Sequence, residues 1–520
     1  MQNGVNMMDR RAFMTAGFAG FALAGLAPVL RLSAAYAPGR KPNMTFGAIS
    51  DIHVKIAPDG KGMRASNDTR LVVHAFEWFR DQGVDAVMIA GDLADTGLVD
   101  ELKAVAAAWW QVFPGSKTPG GRHVERVFIT GNHDWDAYTY DGGVFVNKLY
   151  PDEAERNANL LCKDLKGCWE RIMEEPYTPV YHKKVKGYSF VGAHWDGTPC
   201  HPKCETAFRH VGKWFDENGS ALDPALPFFY CQHAHLQNTV YGPWAWGHDS
   251  GETTAALMKL PNAVAFSGHS HYTLVDERSI WQDGFTSLGT ASLRYAGTPN
   301  DEFPETGFEN AWGGPNNLKT MRPFNEKDHQ GMLVRVFDDC IAFSRRDFGR
   351  DKMLGGDWVM PLPAAKSQPF SFKARRAKEK APAFPSGAAI AVAETAAKIR
   401  GGTNRVNGKK MTVPQESKPT LSLSFPKADA VRETRAFIYE FSFIPADGKT
   451  VLRHTLATDP FQPDDEYRAD NARNETFAIS LDQLPAAPFK IEVRAVSSLG
   501  TKSTPLATTF QPAEFERKNA

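Results

Sequence analysis

Aspartate, asparagine and histidine recur along the first half of the chain in short blocks, each following an apolar run. The blocks are Asp51-x-His53, Gly91-Asp92, Gly131-Asn132-His133-Asp134, His233 and Gly268-His269-x-His271. Two carboxylates, an amide oxygen and several imidazoles form a mixed oxygen and nitrogen donor set that suits two divalent cations. Cations held roughly 3.5–4 Å apart repel strongly unless they share an anionic ligand, so one carboxylate has to bridge them. The quartet 131–134 is the centre of the pattern. Its glycine lets the chain turn without a Cβ penalty, and an amide, an imidazole and a carboxylate follow at the sheet edge. Taken singly, Asp51, Asp92 and Asn132 are ordinary loop caps. Capping does not explain the histidines that accompany them.

The elements that must carry these blocks are legible. Apolar runs at 44–49, 86–90 and 126–130 read as buried strands, with helical spacing over 69–82 and again around 101–112 between them. Strand, helix, strand, helix, strand describes right-handed βαβ units, whose sites form outside the carboxyl ends of the strands. Further strand-like runs at 187–193, 227–232, 263–267, 285–293 and 331–346, with helices near 208–218 and 253–260, complete a second half. Residues 135–179 read as an aromatic, turn-rich insertion. That insertion and the stretches 240–252 and 294–328 are the candidates for controlling access, since loops on a sheet rim carry specificity.

The five blocks, in this order and each after a strand, resemble the calcineurin-like metallophosphoesterases over about residues 44 to 350. The resemblance implies an αββα four-layer α/β sandwich and a binuclear metal centre. One metal is expected on Asp51, His53 and His271, the other on Asn132, His233 and His269, with Asp92 bridging. Mn, Fe, Zn or Co would all suit the donors. Relatives with a tyrosinate-bound ferric ion carry tyrosine three residues after the bridging aspartate, whereas this chain has Asp95. The expected activity is that of a phosphatase or phosphodiesterase, with a metal-bridging hydroxide attacking phosphorus in line. His133 is expected to stabilise the transition state and to protonate the leaving group, with Asp134 orienting it. His233 is the expected ligand and His235 a pocket-lining neighbour. His74 reads as a surface or core residue. Trp135, Trp195, Trp244 and Trp246 are either a rim to the site or plain packing.

The ends of the chain carry different information. Arg10-Arg11, an apolar Ala/Gly-rich stretch to Leu30 and Ala35-Tyr36-Ala37 read as a twin-arginine (Tat) export signal, residues 1–37. The expected partner is the twin-arginine machinery, and the destination the periplasm or beyond, with no stable membrane anchor after cleavage. With 60 basic against 60 acidic residues, charge offers no nucleic-acid signature; the resemblance above is what implies a phosphate ester as the partner at the site. Cys162, Cys168, Cys200 and Cys204 cluster in sequence. Disulfides are the expectation for an oxidising compartment, with a small zinc site that draws in His201 as the alternative. Cys231 and Cys340 read as buried thiols.

The catalytic domain is expected at 38–364, a connector rich in Lys, Arg, Ala, Pro and Gly at 365–419, and an all-β sandwich at 420–515. There the period becomes two, as in Phe437/Tyr439/Phe441/Phe443 and Phe489/Ile491/Val493/Ala495. This last part resembles a fibronectin type III domain. A competing reading from a different class is a non-catalytic binding or scaffold protein built on the same folds.

Overall fold

The computed structural model describes residues 39–197, 206–241, 248–297, 327–399, 403–406, 409–412, 416–428, 435–449, 451–457, 473–485 and 488–511. The segment 1–37 expected to be an export signal, Cys200, His201, Cys204, Trp244, Trp246 and most of the stretch 294–328 lie outside them.

Two sheets pack face to face. The first contains β1 (Met44–Ile49), β2 (Ala86–Ala90), β3 (Glu125–Ile129), β10 (Gln330–Val336), β11 (Cys340–Asp347), β12 (Lys352–Met353) and β13 (Trp358–Pro361). Its order is β12-β11-β10-β1-β2-β3, with β13 also paired to β11. The second contains β4 (Val180–Val185), β5 (Tyr188–Ala193), β6 (Phe228–Cys231), β7 (Ala263–Ser267), β8 (Ile280–Asp283) and β9 (Phe285–Gly289), in the order β4-β5-β6-β7-β9-β8. β1, β2 and β3 run parallel, as do β5, β6, β7 and β9.

Strand periodicity divides the core. Met44, Phe46, Ala48, Met88, Val127 and Ile129 face the second sheet, where Phe46 meets Phe190 and Phe229 at ring-centroid distances of 5.1 and 4.8 Å. The intervening Ile49, Val87, Ile89 and Phe128 face outward to helices. Helix α1 (Arg70–Asp81) buries Val72, Ala75, Phe76 and Phe79, a single face at helical spacing. Helix α2 (Val99–Val112) packs beside it, while helix α3 (Arg209–Asn218) covers the second sheet, with Phe215 at 5.3 Å from Tyr230. Helices outside two stacked sheets make the expected four layers.

Three expectations need correction. The insertion after Trp135 is not merely turns: it holds short helices at Val144–Leu149, Glu153–Asn159 and Leu165–Met173. Asp152 and Asp164 start the last two by accepting backbone N–H groups of Glu155 and Gly167. The run 285–293 stops as a strand at Gly289, and 331–346 is a hairpin of β10 and β11. The third correction concerns the connector. Within it lies β14 (Ala391–Ile399), which pairs along its length with β17 (Glu416–Pro426), so strand pairing begins well before residue 420.

Beyond it the chain forms antiparallel sheets. A hairpin joins β15 (Thr403–Val406) to β16 (Lys409–Thr412), and β14-β17-β20 make three strands, with β20 at Asn474–Ser480. Four more, β19-β18-β21-β22, comprise β18 (Ile438–Pro445), β19 (Leu452–Ala457), β21 (Phe489–Val496) and β22 (Leu506–Phe510). Leu421, Leu423, Phe425, Tyr439, Phe441, Ile491 and Val493 form their core. Phe437 instead joins the core between the catalytic sheets. The segment before β14 ties the parts together: Arg375 donates to the Glu277 carbonyl, Arg376 to that of Leu499, and Thr501 to the Glu379 carboxylate. Among the described residues no helix is long and apolar enough to cross a membrane.

Candidate metal centre

All seven expected ligands meet at the carboxyl ends of β1, β2, β3, β6 and β7. Asp51 and His53 leave β1, Asp92 leaves β2, Asn132 leaves β3, His233 leaves β6, and His269 and His271 leave β7. The backbone is bent to deliver them. Asp51, His53, Asp92, His269 and His271 all have positive φ, between 46° and 71°. Non-glycine residues there cost on the order of 1–3 kcal/mol each, and such strain collects where function requires it. Two glycines let the loops close: a Cβ on Gly91, at φ +90°, would enter the His233 ring, and one on Gly268 would strike Ser50 and the Asp51 carboxylate.

The donor atoms form two groups sharing one carboxylate. Asp51, His53, Asp92 and His271 make the first, and Asp92, His233 and His269 the second. In the first, His271 Nε2 lies 3.1 Å from both His53 Nε2 and Asp51 Oδ1. In the second, His233 Nε2 lies 3.2 Å from His269 Nδ1 and 3.0 Å from Asn132 Oδ1. Asp92 Oδ2 sits between, 3.7 Å from His53 Nε2 and 3.1 Å from His233 Nε2.

Hydrogen bonds outside the cluster fix which atoms face inward. Carbonyl oxygens only accept, so His233 Nδ1 donates to Ala90 O at 2.7 Å and His271 Nδ1 to Tyr295 O at 3.2 Å, leaving both Nε2 lone pairs for the centre. His53 Nδ1 faces Asp95 Oδ1 at 3.3 Å. Asn132 Nδ2 donates to Tyr140 Oη at 2.8 Å, and that hydroxyl donates to Asp136 Oδ1 at 2.7 Å, so the amide oxygen points inward. His235 is no rival to His233. Its Nδ1 and Nε2 contact Ser267 Oγ and Ser270 Oγ at 2.8 and 2.6 Å.

The electrostatics suit cations. Burial opposes the ionised form of Asp92, yet His233, His133 and His53 hold it well below the usual carboxylate range. Burial also lowers His233, but Asp92 and Asp51 outweigh it and push His233 up to about 9. Burial and His233 together bring His269 down to about 3, leaving a neutral imidazole. Without a metal this field pulls a proton onto His233, and a divalent ion would displace it. The cluster fits a binuclear divalent metal centre.

His133 stands beside the cluster. Its backbone N–H donates to Asp92 Oδ1 at 2.9 Å, and its Nδ1 donates to Asp95 O at 2.8 Å, leaving Nε2 as the ring nitrogen for other work. Asp134 does not orient it, contrary to expectation. The Asp134 carboxylate turns away and accepts N–H groups from Gly131, Ala94 and Leu93 at 2.8, 2.8 and 3.3 Å, clamping the β2 and β3 loops together. Burial and Asp92 push it up to about 7. Asp95, Asp136, Tyr140 and Tyr295 are the site residues that motif spacing missed. Only the aromatic character of 135–179 hinted at Tyr140.

Trp135 and Trp195 are buried packing, with Trp195 at 5.9 Å from the His233 ring. His74 lies on the surface near Asp351, at 3.5 Å. Cys231 and Cys340 are buried as expected. Cys168 lies on the helix Leu165–Met173.

A strained, buried pair of Asp/His sites sharing one carboxylate, at the strand ends of a four-layer sandwich, defines a binuclear metallohydrolase. Residues 44–273 match the family model described as calcineurin-like phosphoesterase, and this segment is a calcineurin-like metallophosphoesterase domain. The protein is a metal-dependent phosphoesterase. Among solved structures, the chain is similar to a dimetal phosphatase from Danio rerio, with 12% identity over 62% of this chain and 99% of that one, TM-score 0.33. It is also similar to a purple acid phosphatase from yellow lupin seeds, with 13% identity over 64% and 57%, TM-score 0.35. A third similarity is to zinc-complexed Vps29 from Entamoeba histolytica, with 10% identity over 61% and 99%, TM-score 0.27. No curated protein matches the sequence.

Proposed function

We propose that the protein is an exported hydrolase of phosphate esters, acting on monoesters or diesters at a centre formed by Asp51, His53, Asp92, Asn132, His233, His269 and His271. The observation that carries this reading is the position of Asp92 Oδ2 between His53 and His233, one anionic oxygen shared by two donor sets. Two divalent ions, when bound, supply Lewis-acid polarisation of the phosphoryl group and a nucleophilic water at neutral pH.

The chain supplies the remainder. Its ligands fix where the ester phosphate sits, and the buried floor excludes bulk water around it. His133 carries the proton chemistry. With Nδ1 committed to the Asp95 carbonyl, its Nε2 gives a proton to the departing oxygen. Burial lowers the basicity of His133, but Asp92 and Asp95 raise it further, which favours the protonated donor.

The twin arginines at 10–11 and the Ala35-Tyr36-Ala37 end support export. The division of the C-terminal strands into three and four supports a fibronectin type III-like module.

The test uses the chain from Pro38, stripped of metal, reloaded with Mn, Zn or Fe(II), and assayed on a phosphomonoester and its matching diester. Turnover restored by metal supports the reading, and the ratio of the two rates selects the class. His133→Ala should lose most activity on a poor leaving group and little on a good one. An equal loss on both would remove the acid role.

A further inference from the structure

Behind the turn carrying Asp51 and His53 lies a second cavity of about 430 Å³. Ile52, between the two ligands, forms part of its wall, as do Asn67, Arg70, Arg294 and His329. The walls are tied to the ligand loop. Asn67 Nδ2 donates to His53 O at 2.8 Å, and Leu293 N donates to Ser50 O at 2.9 Å.

The charges lining this cavity do not cancel. Arg70 is already paired with Asp68, Nε to Oδ2 at 2.7 Å. Arg294 is different: its Nε is buried without a hydrogen-bond partner, and no carboxylate among the described residues forms an ion pair with it. A guanidinium held partly out of water without a counter-ion is costly unless an anion completes it. Arginine's planar fork matches phosphate or carboxylate.

The next residue points the other way. Tyr295 lays its ring 4.3 Å from that of His271 and stacks on His53 at 6.3 Å. Consecutive residues therefore straddle the wall, Tyr295 over the metal centre and Arg294 in the cavity.

We propose that this cavity receives a second anionic group of the substrate, with Arg294 as its counter-ion. The substrates it selects are phosphate esters bearing another phosphate or a carboxylate some bonds away. This inference rests on the phosphate-ester reading above.

Two measurements test it. In the first, inorganic phosphate is titrated calorimetrically into metal-stripped wild-type protein and into Arg294→Gln. Arg294 should account for at least about tenfold in affinity, the scale of one charge-assisted hydrogen bond. In the second, metal-loaded enzyme is given alkanediol bisphosphates of increasing length and the corresponding alkyl monophosphates. Wild type should show a KM about tenfold lower for a bisphosphate of suitable length, and Arg294→Gln should remove that advantage.

Equal phosphate binding by both proteins, or none by either, overturns the inference. So does monophosphate turnover without a bisphosphate advantage at any length, which leaves the phosphate-ester reading standing. No turnover of any ester with two ions bound overturns both.

Discussion

The Tyr140 hydroxyl accepts a hydrogen bond from the Asn132 carboxamide at 2.8 Å, and by doing so decides which end of that amide faces the metal centre. An amide is nearly symmetric in shape, so packing alone does not choose between its oxygen and nitrogen. Asp136 completes the relay by accepting from the hydroxyl at 2.7 Å. Tyr140→Phe removes the choice while keeping the ring. The affinity for the second ion should fall about tenfold or more, as for other partners that orient metal ligands. Because Tyr140 is 47% exposed, the melting temperature should hardly move. Calorimetric metal titration in a competing chelator checks both the affinity and the number of ions.

Asp134 acts on the scaffold rather than on His133. Its carboxylate holds three backbone N–H groups from two loops. Asp134→Asn leaves an amide N–H facing donors in a buried site, and should cost about 2–3 kcal/mol of stability in urea denaturation. The pH–rate profile of the folded fraction should keep its shape. A displaced profile at unchanged stability would restore the orienting role that the sequence suggested.

Glu101 gives a pH dependence whose sign is fixed. This carboxylate is fully buried near the centre and accepts the N–H groups of Ile56, Thr96 and Leu98 at 3.2, 2.9 and 3.1 Å. Burial nevertheless pushes it up to about 8, from an ordinary 4.5. Between those values the unfolded chain releases the proton while the folded chain keeps it. Stability from this group is therefore complete below about pH 4.5 and is lost as pH rises toward about 8. Glu101→Gln should flatten that decline in metal-stripped protein. Urea midpoints at both ends of the window measure it, and parallel slopes for variant and wild type would contradict the assignment.

The C-terminal sheets are fastened to the catalytic part. Phe437 is buried in the core between the catalytic sheets, and Arg376 and Glu379 reach Leu499 and Thr501. Removing residues from 391 onward should lower the melting temperature of what remains. Phe437→Ala in the full chain should cost about 3–5 kcal/mol. Unchanged melting in the shortened chain would make the two parts independent.

The residues that converge on the candidate centre are legible because each combines a chemically distinctive residue with the end of an apolar run, and strand ends converge in this topology. The partners that orient them were not. Tyr140 lies eight positions beyond Asn132 and Tyr295 well beyond His271, and no local period marks either. Proximity in sequence to His133 says nothing about direction; the turn aims the Asp134 carboxylate at the β2 loop. β14 escaped because an Ala-rich run with Lys and Glu lacks the alternation of Leu421/Leu423/Phe425, and its strand state comes from pairing with β17. The period-two alternation holds for Tyr439, Phe441 and Phe443, which share one core, while Phe437 packs into a different one.

The proposed site turns on one carboxylate, Asp92, placed to serve two ions. The direct measurement is elemental analysis of bound metal together with phosphate-ester turnover, on wild type and Asp92→Asn reconstituted side by side. Two ions per chain with turnover in wild type, falling to one or fewer with turnover lost in the variant, is the predicted result. Two tightly bound ions and undiminished turnover in Asp92→Asn would contradict it.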